Sequence, residues 1–280
     1  MTDIAVIILV GREKLHIGRC LEKLQPLEPR QIFVVESQPS DGTHEIAVEM
    51  GATTVFNKWP GNQATQFNWA LDNLRIDASW ILRLDADEYL YPETIEEVKS
   101  LLPKWSCNMV TGGGVPPSVT SLSLSRARRY MQMDIKFGGR EVELVRFFKF
   151  GFGRSAQSEM DEHIVTSSGK NLKLRGKFVD DSLMSFEAWK EKHRGYAVRE
   201  AHMALSGKAN RNKNFYYMCP PYFRAFAYFC YRYFIRLGFL DGFAGWQWNF
   251  WQGLWYRWQV DKEIGVLKRE QKSLHKVIGS

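Results

Sequence analysis

Trp80-Ile81-Leu82-Arg83-Leu84-Asp85-Ala86-Asp87-Glu88 is an apolar strand that runs straight into two aspartates spaced i, i+2. Side chains on a strand alternate faces, so this reading puts Arg83, Asp85 and Asp87 on one side and Leu82 and Leu84 on the other. Two carboxylates held that close repel unless a cation lies beside them. A hard divalent ion that keeps part of its water and also takes phosphate oxygens meets that demand with few protein ligands. The plainer alternative on spacing alone is a charged strand end ahead of a helix that has Pro92 in its first turn.

Working outward, the chain reads as alternating strand and helix. Ile4 to Val10 is a continuous apolar run, as a parallel strand buried on both faces requires. Ile17, Cys20, Leu21 and Leu24 recur at helical spacing, and Pro26 closes that helix. Gln31 to Glu36 is a second strand that feeds the polar turn Ser37 to Thr43; the following helix ends near Gly51. Thr53 to Phe56 is a third strand, and Phe67, Ala70, Leu71 and Leu74 mark another helix. This alternation predicts an α/β, Rossmann-like sheet flanked by helices, wound right-handed. Ligands of such sheets bind beyond the carboxyl ends of the strands, where the strand order reverses. Val10-Gly11, Glu36-Ser37 and Asp85-Ala86-Asp87 all lie at those ends.

The successive segments at strand one, at Glu36 to Thr43, at Gly61 to Asn68 and at Leu84 to Glu88 resemble, in order, the signatures of family-2 glycosyltransferases. The resemblance covers roughly the first hundred residues. Later segments, among them Met160 to Ile164, Asp180 to Leu183 and Gly238 to Gly242, resemble a bacterial branch associated with exopolysaccharide or lipopolysaccharide-core synthesis. The resemblance implies the nucleotide-sugar-binding GT-A fold and metal-dependent, inverting transfer. The donor it implies is a nucleotide sugar, with uridine diphosphate the leading nucleotide. The acceptor it implies is a lipid-linked saccharide at the inner face of the cell membrane.

The resemblance also assigns roles. Asp87, with Asp85, would hold Mn2+ or Mg2+; Asp85 could also act through ribose and water. Glu36 matches an acid that accepts from base or ribose, with a solvated strand end as its alternative. Asp41 matches the base-site turn, or caps the next helix. Val10 and Gly11 would let the base lie against the first strand exit. Glu162 matches the catalytic base and Asp161 is its competitor. His163 would complete the metal shell or serve structure alone. Many relatives carry a metal-binding histidine where this chain has Val179-Asp180-Asp181, so either aspartate would replace it or cap the helix containing Trp189. Arg83 would grip phosphate or pair with Asp85. Phe137 to Arg140 and Arg146 fall in the acceptor-side segment, and Arg126, Arg128 and Arg129 form a basic cluster suited to a lipid diphosphate or to solvent. His193 to Glu200 reads as a brace rather than as chemistry. Gly112-Gly113-Gly114 lacks the GK[ST] ending of a phosphate loop. Two rivals remain: a sugar-phosphate nucleotidyltransferase, which should carry a glycine-rich basic loop where this chain has Val10 to Glu13, and an inactive membrane-docking scaffold.

Composition adds a second theme. The 280 residues carry a net charge of +7 and a pI near 9.2. Cys20, Cys107, Cys219 and Cys230 lack metal-ligand spacing and are read as reduced, cytosolic thiols. The first apolar run is too short and too strand-like for a signal peptide. The expected organisation is a catalytic domain over 1–205, with a nucleotide half to 105 and an acceptor half beyond. A polar, basic linker over 206–214 and an aromatic, basic helical region over 215–280 follow. Residues 215–258 hold about half of the 10 Trp, 11 Tyr and 18 Phe, with Asp241 as their sole acid and Arg224, Arg232, Arg236 and Arg257 between them. No apolar run approaches the ~20 residues of a spanning helix. Such a region can lie at an anionic headgroup surface with guanidinium groups on phosphate. Alternatively it packs internally or forms a homo-oligomer. No nucleic-acid recognition motif accompanies the basic charge.

Overall fold

The computed structural model describes residues 1–39, 41–106, 119–130, 132–139, 141–156, 163–206 and 216–278. Two compact units emerge: Met1–Arg128 with Glu141–Leu183, and Arg129–Arg140 with Met184–Ser280. The boundary at Leu183/Met184 comes ahead of the one expected at 205/206. The helix containing Trp189 therefore belongs with the aromatic region.

The first unit is built on a mixed sheet. Its nucleotide half comprises β1 (Thr2–Val10), α1 (Ile17–Leu24), β2 (Pro29–Glu36), α2 (Thr43–Glu49), β3 (Thr53–Phe56), α3 (Gln63–Asn73) and β4 (Trp80–Asp85). The chain continues through β5 (Glu88–Leu90), α4 (Pro92–Ser106), β6 (Val119–Tyr130), β7 (Met133–Ile135), β8 (Glu143–Lys149), β9 (Gly153–Ser155), β10 (Ile164–Thr166) and β11 (Lys170–Asp180). The sheet runs β3-β2-β1-β4-β8-β6-β11-β5, while β9 and β10 form a separate antiparallel pair. β1 to β4 are mutually parallel, β8 is antiparallel to both β4 and β6, and β11 is parallel to β6.

The apolar run of β1 has the cause its composition implied. Ile4, Val6, Ile8 and Val10 enter one core with α1, whereas Ala5, Ile7 and Leu9 enter a second with Phe67 and Ala70 of α3. Burial on both faces leaves no position for a polar residue. Strand order runs outward from β1 through β2 to β3, then returns to β4 on the other side. The reversal opens between β1 and β4, which is where ligands of open α/β sheets enter. There Leu9 pairs with Asp85, and Val10 pairs with Glu36.

Among the described residues the second unit holds β7 and the α-helices α5 (Phe186–Leu205), α6 (Phe223–Cys230), α7 (Gly242–Asn249) and α8 (Tyr256–Ile278). Ala197 and Ala201 of α5 pack on Tyr256, Val260 and Ile264 of α8. Small residues on one helix admit the large ones of the other. Glu200 is 3% exposed and accepts from Tyr217 Oη (3.0 Å), Tyr256 Oη (2.6 Å) and Arg257 (2.7 Å), contacts that all lie within the second unit. Asp261, equally buried, accepts from the Tyr222 N–H at 2.7 Å and from Arg224 Nε at 2.8 Å. Arg232 Nε donates to the Gly138 carbonyl at 2.7 Å. These contacts correct the expectation that Arg224, Arg232 and Arg257 present guanidinium groups to a phosphate surface. They neutralise buried carboxylates and carbonyls instead, because an unpaired polar group there would be costly. Among the described residues no helix is long and apolar enough to cross a membrane.

Candidate functional site

At the switch point, β4 ends at Asp85 and residues 86–87 form a turn. The cause is local: the Asp85 N–H donates to Glu88 Oε2 at 3.0 Å, closing the turn before β5 begins. This corrects the reading of Arg83, Asp85 and Asp87 as one continuous strand face. Arg83 does lie on the predicted side, with its guanidinium 5.2 Å from the Phe67 ring centroid. It donates to Gln63 Oε1 at 3.3 Å and to Ser155 Oγ at 3.5 Å. Through these contacts Arg83 ties β4 to α3 and β9.

Asp85 Oδ1 is buried and has no hydrogen-bond partner among the described residues. An orphaned carboxylate oxygen is an expensive thing to bury unless something positive completes it. Asp87 follows in the turn, half-buried, and its carbonyl accepts the Asp181 N–H at 3.1 Å. Two carboxylates of this kind fit a small hard cation that takes its remaining ligands from water and a diphosphate. Among the described residues no group of three or more His, Cys, Asp or Glu could hold a metal unaided.

The turn is clamped on both sides. Glu88, 4% exposed, pairs with Arg146. Burial pushes the Glu88 carboxyl up; Arg146 opposes that, and the nearby Asp85 charge adds to it, leaving its pKa raised to about 8. Arg146 is therefore an interior partner of Glu88 rather than an acceptor-side residue. On the other side, Asp181 accepts from Arg19 Nη1 at 2.8 Å and Tyr89 Oη at 3.3 Å, and its carbonyl accepts from Arg19 Nη2. Asp180 accepts from Arg126 Nη1 at 3.2 Å. The helix containing Trp189 is capped by Ser185, whose hydroxyl accepts the Ala188 N–H at 3.3 Å. Neither role foreseen for the two aspartates, replacement metal ligand or helix cap, matches these contacts. Arg126 and Arg129, which pairs with Asp134 at 3.5 Å, are likewise engaged within the protein.

The neighbouring strand exits complete the crevice. Glu36 is 5% exposed, and its Oε1 lies 2.8 Å from His44 Nδ1, so it is not a solvated strand end. That contact, opposed by desolvation, raises the His44 pKa above its ordinary value. The Ser37 N–H and Oγ both donate to the Val10 carbonyl at 3.0 Å, which binds the first two exits together beside Gly11. Asp41 accepts from the Thr43 N–H at 3.2 Å and from the Thr43 hydroxyl at the start of α2. Desolvation works against the Asp41 carboxylate, but these hydrogen bonds outweigh it and its pKa is lowered.

Asp161 and Glu162 lie outside the described residues, as do Arg140 and the glycine run at 112–114. Their flanks are defined: Ser155 of β9 exchanges hydrogen bonds with Asn68 of α3 (2.9 and 3.0 Å), and the Ala156 N–H donates to the His163 carbonyl at 2.9 Å. His163 itself is exposed, just ahead of β10. Sequence reasoning missed Arg19 and Arg146 as supports of the turn. Each partner lies far away in sequence, so no local spacing signals the pairing.

Comparison with known proteins adds to this geometry. The model of the family described as Glycosyl transferase family 2 matches residues 5–167. An uncharacterized glycosyltransferase of Rickettsia felis is 30% identical over 99 residues, covering 35% of this chain and 34% of that protein. An uncharacterized glycosyltransferase of Rickettsia conorii is 29% identical over 96 residues, covering 34% and 33%. The chain thus spans about a third of the length of these curated relatives. Among solved structures, Staphylococcus aureus TarS matches with TM-score 0.30 and 21% identity over 43% of this chain and 24% of that one. Glucosyl-3-phosphoglycerate synthase from Mycobacterium tuberculosis, in complex with Mn2+ and uridine-diphosphate-glucose, matches with TM-score 0.33 and 17% identity over 45% and 43%.

Proposed function

This chain belongs to glycosyl transferase family 2, and from that premise we propose that it moves a sugar from a nucleotide-sugar donor, with uridine diphosphate as the nucleotide, to a saccharide hydroxyl with inversion at the anomeric carbon. The observation that carries the reading is the orphaned Asp85 Oδ1, buried at the β1/β4 switch point beside Asp87. Asp85 and Asp87 would hold Mn2+ or Mg2+, which supplies Lewis-acid relief of the charge growing on the departing diphosphate.

The chain's own groups divide the remaining work. Glu36, buried and fixed against His44, accepts from the base or ribose, with Val10 and Gly11 as the neighbouring backbone. The acceptor oxygen attacks the anomeric carbon as the nucleoside diphosphate leaves from the opposite face, and Glu162 takes the hydroxyl proton, with Asp161 as its competitor. His163 follows them in sequence and stands as a further metal ligand in this proposal. The acceptor is a lipid-linked saccharide of the lipopolysaccharide or exopolysaccharide kind, met at the inner face of the cell membrane. Support for a membrane-borne acceptor comes from the exposed aromatic and aliphatic side chains of the second unit.

A donor screen that reads nucleotide release tests the proposal. Uridine diphosphate should appear from one uridine diphosphate sugar with Mn2+ present and not after chelation. Release of pyrophosphate would move the protein to the nucleotidyltransferases, and the absence of turnover with every donor would leave the docking scaffold.

A further inference from the structure

Large apolar side chains on a soluble surface are ordinarily scattered singly. In the second unit they recur along much of 222–246, with a run of six over 234–243, from just beyond α6 into the first turn of α7. Phe234, Ile235, Leu237, Phe239, Leu240 and Phe243 are 43–72% exposed. The backbone there is a π-helical turn, Tyr231–Ile235, then a 3-10 turn, Gly238–Asp241. Leu237 adopts φ +57°, a left-handed conformation that costs a leucine energy and keeps its side chain outward rather than in the core.

The crest is held rigid from beneath. The Gly138 N–H donates to the Arg236 carbonyl at 2.9 Å, and Arg232 Nε grips the Gly138 carbonyl. Asp241 Oδ2 accepts the Lys136 and Phe137 N–H groups at 3.0 and 2.8 Å. Asn249 is fully buried against Gly138 and Gly238, where a Cβ would overlap its side chain. An exposed apolar surface with so many fixed supports is already organised for a partner and loses little freedom on binding one.

Charge identifies that partner. Asp241 is the sole acid in 222–258, and its carboxylate is turned onto backbone amides. Arg236 and Lys136 remain exposed beside the crest. The result is an apolar tip flanked by the exposed cations Arg236 and Lys136, with the Asp241 carboxylate held by backbone amides and Asp134 paired with Arg129, complementary to acyl chains under anionic headgroups. Two copies meeting through this face would bring both sets of these cations into one interface.

We propose that the Phe234–Phe243 crest inserts into the acyl boundary of an anionic lipid bilayer, driven by apolar burial, with Arg236 and Lys136 at headgroup level. This deepens the membrane-borne acceptor reading and rests on it. It differs from the sequence expectation in mechanism, because three of the four arginines face inward.

Co-sedimentation of the full chain with vesicles tests it, using phosphatidylcholine alone and phosphatidylcholine with phosphatidylglycerol. Binding should occur to both and be tighter with phosphatidylglycerol. Ile235→Asn and Phe243→Asn should each weaken partitioning by about tenfold, as loss of a large exposed apolar group predicts. Arg236→Gln should weaken it only about fivefold, and only on phosphatidylglycerol. Unchanged binding of the double Asn variant overturns the proposal. So does binding that vanishes on phosphatidylcholine and in high salt, or a dimer that the double variant abolishes in the absence of vesicle binding. The positions are on the surface, so thermal melting of the variants should match the parent. Hydrolysis of donor by the same samples reads the catalytic proposal independently: its failure with vesicle binding intact sinks that proposal and leaves this one.

Discussion

Replacing Asp85 with asparagine separates the proposed cation site from ordinary packing. In the parent, Asp85 Oδ1 is buried without a hydrogen-bond partner among the described residues; burial raises the pKa values of the neighbouring Glu88 and Cys20, and the Asp85 charge adds a lesser push in the same direction. A buried unsatisfied polar group costs about 1–3 kcal/mol, and more when it is charged. Asparagine keeps the shape and removes the charge, so the metal-free variant should gain about 1 kcal/mol, or about 2–4 °C in Tm for a unit of this size. Mn2+ at about a hundredfold its Kd should stabilise the parent by about 2.7 kcal/mol. That corresponds to about 5–10 °C at the same conversion. Differential scanning fluorimetry across a Mn2+ titration, with and without uridine diphosphate, reads both quantities. The variant should melt higher without metal and respond to it by less than about 2 °C. A variant that melts lower without metal would mean protein groups already satisfy the carboxylate. An undiminished Mn2+ response would place the cation elsewhere. Either result refutes the assignment.

Arg19→Ala removes both contacts to the buried Asp181 carboxyl and carbonyl, and should cost about 2–4 kcal/mol in urea unfolding while blunting the Mn2+ response. His44 should titrate above its ordinary 6.5 by imidazole NMR and return toward it in Glu36→Gln. Because the folded pKa is the higher one, any stability from this pair is complete below the unfolded value and is lost as pH rises through the folded value. Glu162→Gln should leave donor binding intact by calorimetry and slow transfer by about a hundredfold or more; normal turnover would move the role to Asp161. Gly138→Ala, at φ +71° against the buried Asn249, should lower stability by about 2 kcal/mol or more by thermal melting.

What the sequence made legible is what short-range periodicity encodes. The unbroken apolar run of β1 announced a strand buried on both faces, and the two cores take its alternate residues. Ile17, Cys20, Leu21 and Leu24, chosen for helical spacing, are the buried positions of α1. Asp87 was misplaced because alternation presumes that the strand continues; one side-chain bond from Glu88 to the Asp85 N–H ends it, and no period reveals that. The inward turn of the arginines was equally hidden. Arg224 meets Asp261, and Arg257 meets Glu200, across 37 and 57 positions of chain. The unit boundary at Leu183/Met184 has the same origin: the small face of α5 finds its partners in α8 and in residues such as Tyr217 and Trp255.

The support around the aspartate turn carries a consequence for how a cation would act there. Position in the turn is set at Asp85 by the Glu88 carboxylate and at Asp87 by the Asp181 N–H. Those two anchors are fixed in turn by Arg146 and Arg19, which approach from β8 and α1. A cation binding between the aspartates therefore meets ligands whose backbone is already placed. Its binding energy need not be spent on ordering the turn, and can go into differential stabilisation of a leaving diphosphate. By the same logic, damage to Arg19 or Arg146 should act as loss of cation affinity, although neither side chain is assigned as a ligand. From sequence, Asp180 or Asp181 read as a substitute for a missing metal ligand or as a cap of the helix containing Trp189. In the fold, the Asp181 N–H holds the Asp87 carbonyl, and the Asp181 carboxylate and carbonyl lock α1 to the turn through Arg19, a role that depends on its backbone as much as on its charge.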